Sequence, residues 1–476
     1  MNNWHKLHAA SILFMFASKV KDFLIPLLLT LFAGGTGQGS QFTQYLFPIL
    51  MAVILFYSVF YWFSFRYQLD ENELQIKQGI FIKKNRYIRR NRVQSVDITS
   101  GLFYRLWSVE KVKIETAGGG LEPEVELAAV KQEEAENIRK QLRSDQTSSQ
   151  LDEGPQGPSS KDKSIHYDVP LKSIILTGLT SGKVGLVFSA AAALISQIDQ
   201  FLPAGFYEDS FGILISMGAL FLTVLLLLAA LVAWVVSILI TIIQYGMFKI
   251  YKNDKELTIS RGLLEKRKLT LQIDRITSVR YVCNPLRQWL GLWSIYIDSA
   301  GGGSNEEQLS TLLLPLGNKE EIHTLMKDIL PQAQLPDSIE FLPKRAAFRY
   351  IIRTSIIWWL VAIPVLYFIP NGWIFMVIPF FFSCLGWQRY KDSGIKLEKE
   401  YCIVQTRTFN LSCNILPRQQ IQSITFQQSI FQQKRKLYTL SADILTSNGG
   451  RTFHLKDIET DENHNIFEWY RRKYSI

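Results

Sequence analysis

The residues of this 476-residue chain best able to do chemistry are its cations. They gather in three clusters: Lys83, Lys84, Arg86, Arg89, Arg90 and Arg92; then Arg261, Lys266, Arg267 and Lys268; then Lys434, Arg435 and Lys436. Beside an anionic lipid surface each such residue contributes about 1 kcal/mol of attraction, which makes the clusters candidates for lipid or partner contact. The competing reading is a solvated basic face that keeps domains soluble and sets their orientation. Nucleic acid fits less well, since no aromatic-interleaved RNA motif accompanies the clusters. Arg92 and Arg275 stand apart, each just before an apolar strand. The role expected of them is structural: a salt bridge or bonds to strand carbonyls inside their own domain.

Enzyme chemistry has no such footing. The run Gly178-Leu179-Thr180-Ser181-Gly182-Lys183-Val184 comes near a phosphate loop, but it is one residue short and has Val where Ser or Thr would meet magnesium. His5, His8, His166, His323, His454 and His464 have no metal-ligand spacing, and no G-x-S-x-G elbow occurs. Cys283, Cys384, Cys402 and Cys413 form no C-x-x-C pair, so neither a zinc site nor a disulfide framework is expected. The expectation is a protein without cofactor, metal or catalytic residue.

The elements that hold the cations occur more than once. Leu74 to Gly120 and Leu257 to Gly303 superpose without a gap at an offset of 183 residues, pairing Gly79 with Gly262, Arg92 with Arg275, Ser95 with Ser278 and Gly118 with Gly301. A third copy follows at a further offset of 145, with Ser423 on Ser278 and Phe409 on Leu264. There Arg407 replaces the glycine and Gln420 the arginine. Gly79, Gly118, Gly262 and Gly301, with Arg92 and Arg275, are therefore the structural signature of the repeat. In each copy, alternating apolar and polar runs predict antiparallel strands, and a closing helical pattern makes an α+β unit.

Ahead of each unit lies a pair of apolar segments: Phe23 to Ala33 with Tyr45 to Phe65, Val184 to Ile195 with Phe211 to about Phe248, and Ile356 to Ile369 with Trp373 to Trp387. A bilayer core takes about 20 apolar residues per helix, so these read as three transmembrane hairpins. Overall, 47% hydrophobic residues and a net charge of +10 fit membrane segments joined to basic domains. Lys21, Lys183 and Arg353 stand just before the apolar runs, after mixed stretches expected to lie at the interface. The loops inside the pairs hold no Lys or Arg, whereas the other ends are rich in them, so both termini and all three units are expected on the cytoplasmic side. The divisions are 1–66, interfacial segment and first hairpin; 67–145, first domain; 146–163, a Ser-, Gly- and Pro-rich flexible linker; 164–250, second interfacial segment and hairpin; 251–332, second domain; 333–389, third interfacial segment and hairpin; and 390–476, a divergent third domain.

Three hairpins, each followed by a strand-rich unit, with Arg92-Val93-Gln94-Ser95-Val96 and Arg275-Ile276-Thr277-Ser278-Val279 and an Ala-Gly-Gly-Gly turn in the first two units and a third that departs at the glycine, the arginine and that turn, resemble the bacterial pleckstrin-homology-like membrane proteins, in particular the YdbT-like members. The resemblance covers almost the whole chain. It implies a partly open seven-stranded β-barrel or sandwich with a C-terminal helix in each unit. It also implies a bacterial cell-membrane location, a smaller companion membrane protein with a single hairpin and one such domain, and a link to resistance against membrane-active peptides. The function expected is a scaffold that binds this companion, in a hetero-oligomer, and anionic lipid headgroups. The rival is a transporter of peptide or lipid, for which no acidic or broken-helix site at mid-membrane is evident.

Overall fold

A computed structural model describes residues 4–33, 39–70, 73–116, 125–143, 165–182, 185, 187, 189, 218–253, 255–299, 311–336, 338–368, 372–446 and 449–471. In the first unit, helices Ala10–Ala33 (α1) and Gly39–Ser64 (α2) pack on one another. Strands Arg66–Leu69 (β1), Glu73–Gln78 (β2), Lys84–Arg89 (β3) and Val93–Ser100 (β4) follow, then a one-turn helix, Leu102–Leu106 (α3). Val109–Thr116 (β5), Val125–Lys131 (β6) and the helix Gln132–Arg143 (α4) close the unit.

The second unit repeats this order with Ile165–Asp168 (β7), Leu171–Leu179 (α5), Gly218–Tyr245 (α6), Lys249–Asn253 (β8), Glu256–Arg261 (β9), Lys266–Gln272 (β10) and Ile276–Cys283 (β11). Pro285–Trp289 (α7), Leu292–Ser299 (β12), Thr311–Asn318 (β13) and Lys319–Ile329 (α8) complete it. The third has Glu340–Phe341 (β14), Ala347–Phe368 (α9), Val377–Lys391 (α10), Gly394–Leu397 (β15), Tyr401–Arg407 (β16), Leu411–Pro417 (β17) and Ile421–Gln427 (β18). It ends with Ile430–Gln433 (α11), Leu437–Thr446 (β19), Gly449–Glu459 (β20) and Thr460–Arg471 (α12).

The helix pairs do not simply precede the domains. β7 pairs with β8 across α5 and α6, β14 pairs with β15 across α9 and α10, and His5 bridges Tyr67 of β1 across α1 and α2. Each pair is thus inserted between the first and second strands of its own sheet, which fixes both helix feet at one end of the sandwich. The stretch before the second pair, expected as an interfacial or entering helix, holds α5, whose Ile174, Thr177 and Gly178 are buried.

The three-hairpin expectation is met only in part. Among the described residues two helical stretches are long and apolar enough to cross a membrane, Thr223–Tyr245 at mean hydropathy 2.9 and Lys344–Phe368 at 1.8. Pro48–Ser64 is a shorter apolar stretch, and most of 183–217 lies outside the described residues. Only 18% and 11% of the two long stretches is buried within the protein, so most of their apolar surface faces outward.

Each unit is the expected strand-rich sandwich closed by a helix, with seven strands in the second (β7–β13) and third (β14–β20), but its sheets are shared with the neighbouring units rather than closed on themselves. One seven-stranded sheet runs β6-β5-β4-β10-β9-β8-β7 and another β13-β12-β11-β17-β16-β15-β14, leaving three-stranded sheets β1-β2-β3 and β18-β19-β20 at the two ends. The joints are antiparallel, β4 with β10 placing Val96 opposite Thr270, and β11 with β17 placing Val279 opposite Ile415. Those pairs are the same repeat positions, so the two joints share one register. Because β4 has a sheet neighbour on both edges, with Val96 and Ile98 in the first unit's core and Asp97 held under Arg267, seven of its eight residues are buried rather than alternating. Its Val96 and Ile98 join the first unit's core, while the second unit's core draws Ile403, Leu411, Cys413 and Ile415 from the third.

Candidate functional site

Each unit meets its helix feet through two short elements at equivalent repeat positions. The first is the one-turn helix after the central strand. Pro285 at its first position and the Asn284 side chain, which accepts from Arg287 N at 2.7 Å, start α7, and a Ser429–Gln432 capping box starts α11. Ser108, Gly291 and Lys436, again equivalent positions, end the three turns with left-handed backbone (φ 51°, 68° and 53°).

Inside these helices one position reaches the neighbouring helix, directly or through one further residue, by different chemistry in each unit. Tyr104 stacks on Phe14 of α1, ring centroids 3.8 Å apart. Buried Arg287 donates from Nε to Thr180 Oγ1 at 2.8 Å and from Nη1 to Ser294 Oγ at 2.7 Å, and burial holds its pKa below the usual guanidinium value. Gln432 donates to Asp457 Oδ1 at 3.0 Å, and the same fully buried carboxylate accepts from Arg349 Nε and Arg353 Nη2 of α9, both at 2.8 Å. Arg353 therefore sits at the domain end of its helix. Lys21 is exposed, and Lys183 lies outside the described residues.

The residue just before the grip projects outward in every unit: Phe103 is 70% exposed, Leu286 62% and Phe431 73%. The second short element is the hairpin turn after β2, β9 or β16. Ser64 Oγ donates to Gly79 O at the foot of α2, Gly262 N to Gly246 O (2.8 Å) past α6, and Arg389 Nε of α10 to Thr408 O (2.6 Å). At the tips Phe81, Leu264 and Phe409 are all exposed, with Ile82 beside the first and Trp289 beside Leu286. Exposed apolar tips repeated beside apolar helices, with Lys83, Lys84, Lys434, Arg435 and Lys436 among them, have the composition of a surface that meets a bilayer interface.

Between the feet of α9 and α10 and the joint of the second and third units lies a cavity of about 550 Å3. Arg280, Arg353, Arg389, Arg407, Arg451 and Lys456 line it, together with His454, Thr408, Ser412 and Asn414, and no carboxylate is in its lining. Three aspartates behind it neutralise part of this charge. Asp298 accepts from Arg451 Nη1 at 2.8 Å and lies 3.4 Å from Arg280 Nε, Asp457 takes Arg353, and Asp392 takes Arg407. Arg389 bonds only Thr408 O and Thr354 Oγ1 among the described residues, and Lys456 is exposed. Six cations against three acids leave an excess of positive charge aimed into a polar space.

The sequence clusters separate accordingly. Lys83, Lys84 and Arg89 are exposed along β3 and its turn, with Arg86 and Arg90 half-buried, and Lys434, Arg435 and Lys436 are exposed after α11. The second cluster is not an open lipid surface, because β10 lies in mid-sheet at a joint. Arg261 is 7% exposed over the ring of Tyr245, and burial lowers its pKa. Arg267 clasps Asp97 of the first unit with both Nε and Nη2, at 3.0 and 2.7 Å to Oδ2, and Lys268 lies 3.4 Å from Glu136 of α4. Only Lys266 remains exposed.

Neither Arg92 nor Arg275 forms the expected salt bridge with a described residue. Each ends a one-turn 3-10 helix leading into β4 or β11. Gly79 (φ 110°) and Gly262 (φ 99°) are structural, since a Cβ would lie 2.0 or 1.9 Å from the carbonyl oxygen of Ile82 or Glu265. Gly118 and Gly301 lie outside the described residues. The repeated serine has a role that sequence reasoning missed: Ser95 donates to Glu115 (3.1 Å), Ser278 to Asp298 (2.5 Å) and Ser423 to Asp443 (2.5 Å), always 20 residues ahead. That constant spacing was the available signal. The grip position was hidden by its change from Tyr to Arg to Gln.

The signature of the family described as Bacterial PH domain matches residues 21–146, 209–333 and 350–474. The UPF0699 transmembrane protein YdbT of Bacillus subtilis (strain 168) is 29% identical over 462 residues, spanning 95% of this chain and 94% of the relative.

Proposed function

The chain belongs to the bacterial PH domain family, with three copies of the domain and a transmembrane relative, and from that premise we propose a membrane-anchored scaffold that binds anionic lipid headgroups. In this reading the helix pairs cross the cell membrane as three hairpins. Both termini and all three domains lie at the cytoplasmic face, where the Lys- and Arg-rich helix ends belong by the positive-inside rule. The apolar tips and their lysines rest at the inner leaflet, so the domains are held at one depth. The observation that carries headgroup binding is the cavity at the feet of α9 and α10, lined by six cations and no carboxylate. A phosphate-bearing headgroup supplies the negative charge and the several acceptors that Arg389, Arg451 and Lys456 can serve there.

The scaffold also binds a smaller membrane protein with one hairpin and one domain of the same kind, and contributes to resistance against membrane-active peptides. Anchoring raises the effective concentration of such a partner, so weak contacts between domains suffice. No catalytic step is assigned. The test is lipid retention by the purified full-length protein, with phosphatidylglycerol and phosphatidylcholine as probes. At about 1 kcal/mol per cation, R389Q with K456Q weakens phosphatidylglycerol binding about 30-fold and leaves phosphatidylcholine unchanged. Equal retention of both lipids by both proteins would remove the headgroup reading.

A further inference from the structure

The two internal joints leave one unmatched half of the same joint at each end of the molecule. In both, the first strand after the hairpin turn of one unit (β10, β17) pairs with the central strand of the unit before it (β4, β11), in one register. The equivalent of β10 in the first unit is β3, and the equivalent of β4 in the third is β18. Each is the outer strand of its three-stranded sheet.

Burial marks them as interrupted joints. Ser95 and Ser278 are 2% and 0% exposed in the joints, while Ser423 at the same position is exposed. Thr270 is 7% exposed in its joint and Tyr87, its counterpart, 59%. β18 carries no proline and no charged residue to blunt its edge. The lysine and arginines of β3 do not argue against pairing, since β10 is equally basic and pairs, with Arg267 clasping Asp97.

We propose that β18 of one copy of this chain pairs antiparallel with β3 of a second copy. Copies then join head to tail through the joint that already links the units within each. The shared register sets Tyr87 opposite Ile424, Lys84 opposite Gln427 and Arg86 opposite Thr425. This brings Arg86 to the face that carries Ser423 and Asp443. Hydrogen bonds from Ser423 and Thr452 keep that carboxylate ionised, so the edges are complementary in charge as well as in hydrogen bonding. Such a contact is heterologous: it closes a ring if the rotation permits and otherwise extends.

The test is disulfide trapping of full-length chains in membranes. Two tagged forms are co-expressed in a Cys384→Ser background, one with Lys84→Cys and the other with Gln427→Cys. Cys283, Cys402 and Cys413 are buried and stay silent. Oxidation is expected to give a mixed-tag dimer. That dimer should be lost when Ser423→Cys replaces Gln427→Cys, because four residues along a strand separate the Cα atoms by about 13 Å, beyond disulfide reach. No mixed-tag dimer, equal trapping by both pairs, linkage within one chain, or linkage of residue 84 to a different membrane protein would each overturn the proposal.

Discussion

Tyr104, Arg287 and Gln432 occupy one position of the repeat, yet they grip their helices by ring stacking, by hydroxyl hydrogen bonds and through a shared aspartate. What persists at this scale is the backbone that presents the side chain. The glycines divide by the same rule. At Gly262 a side chain would collide with a carbonyl oxygen, so Gly262→Ala is expected to destabilise the protein by about 3 kcal/mol. At Gly291 nothing lies within 4 Å of a Cβ, and Ser108 and Lys436 hold the same left-handed turn elsewhere, so Gly291→Ala costs only the left-handed backbone strain of about 1 kcal/mol. Melting temperatures of the solubilised variants check both, and a melting loss at Gly291 as large as that at Gly262 would contradict this account.

Among elements, the one-turn helices and hairpin tips are too short to be stable alone, and they stand because strands hold both ends. Their exposed apolar residues carry the membrane reading. With Cys384→Ser as background, an environment-sensitive dye at Trp289→Cys should shift its emission to the blue when anionic lipid replaces phosphatidylcholine in nanodiscs holding the full-length protein. The same dye at Lys255→Cys, in the turn at the opposite end of β9, should not shift. Matching spectra at the two sites would take the tips off the bilayer. The repeated turn glycines were legible in the sequence. The tips were not, because Phe81, Leu264 and Phe409 look like any other apolar residue until their strands are placed.

For the molecule as a whole, sharing sheets across units makes the three domains interdependent. Residues 146–163, expected as a flexible linker, lie outside the described residues, and the shared sheet joins the first unit to the second independently of them. Cutting the full-length protein at a protease site placed in that segment is expected to leave the two pieces associated in detergent, held by the β4–β10 ladder and the Arg267–Asp97 pair. Separation of the pieces on a sizing column would show the joint to be weak.

The sequence by itself determined the threefold repeat, the apolar runs, the strand-rich units with their closing helices, and the turns that only glycine permits. These follow from periodicity and from steric limits that act within a few residues. Which strands meet was decided by the tertiary structure alone. The edge of β10 offers the same hydrogen-bonding groups to a strand of its own unit as to one of its neighbour, and nothing local distinguishes them. The same choice set the fate of the basic clusters: Arg267 was drawn into a joint, while Lys84, at the equivalent position of the first unit, was left at an open edge.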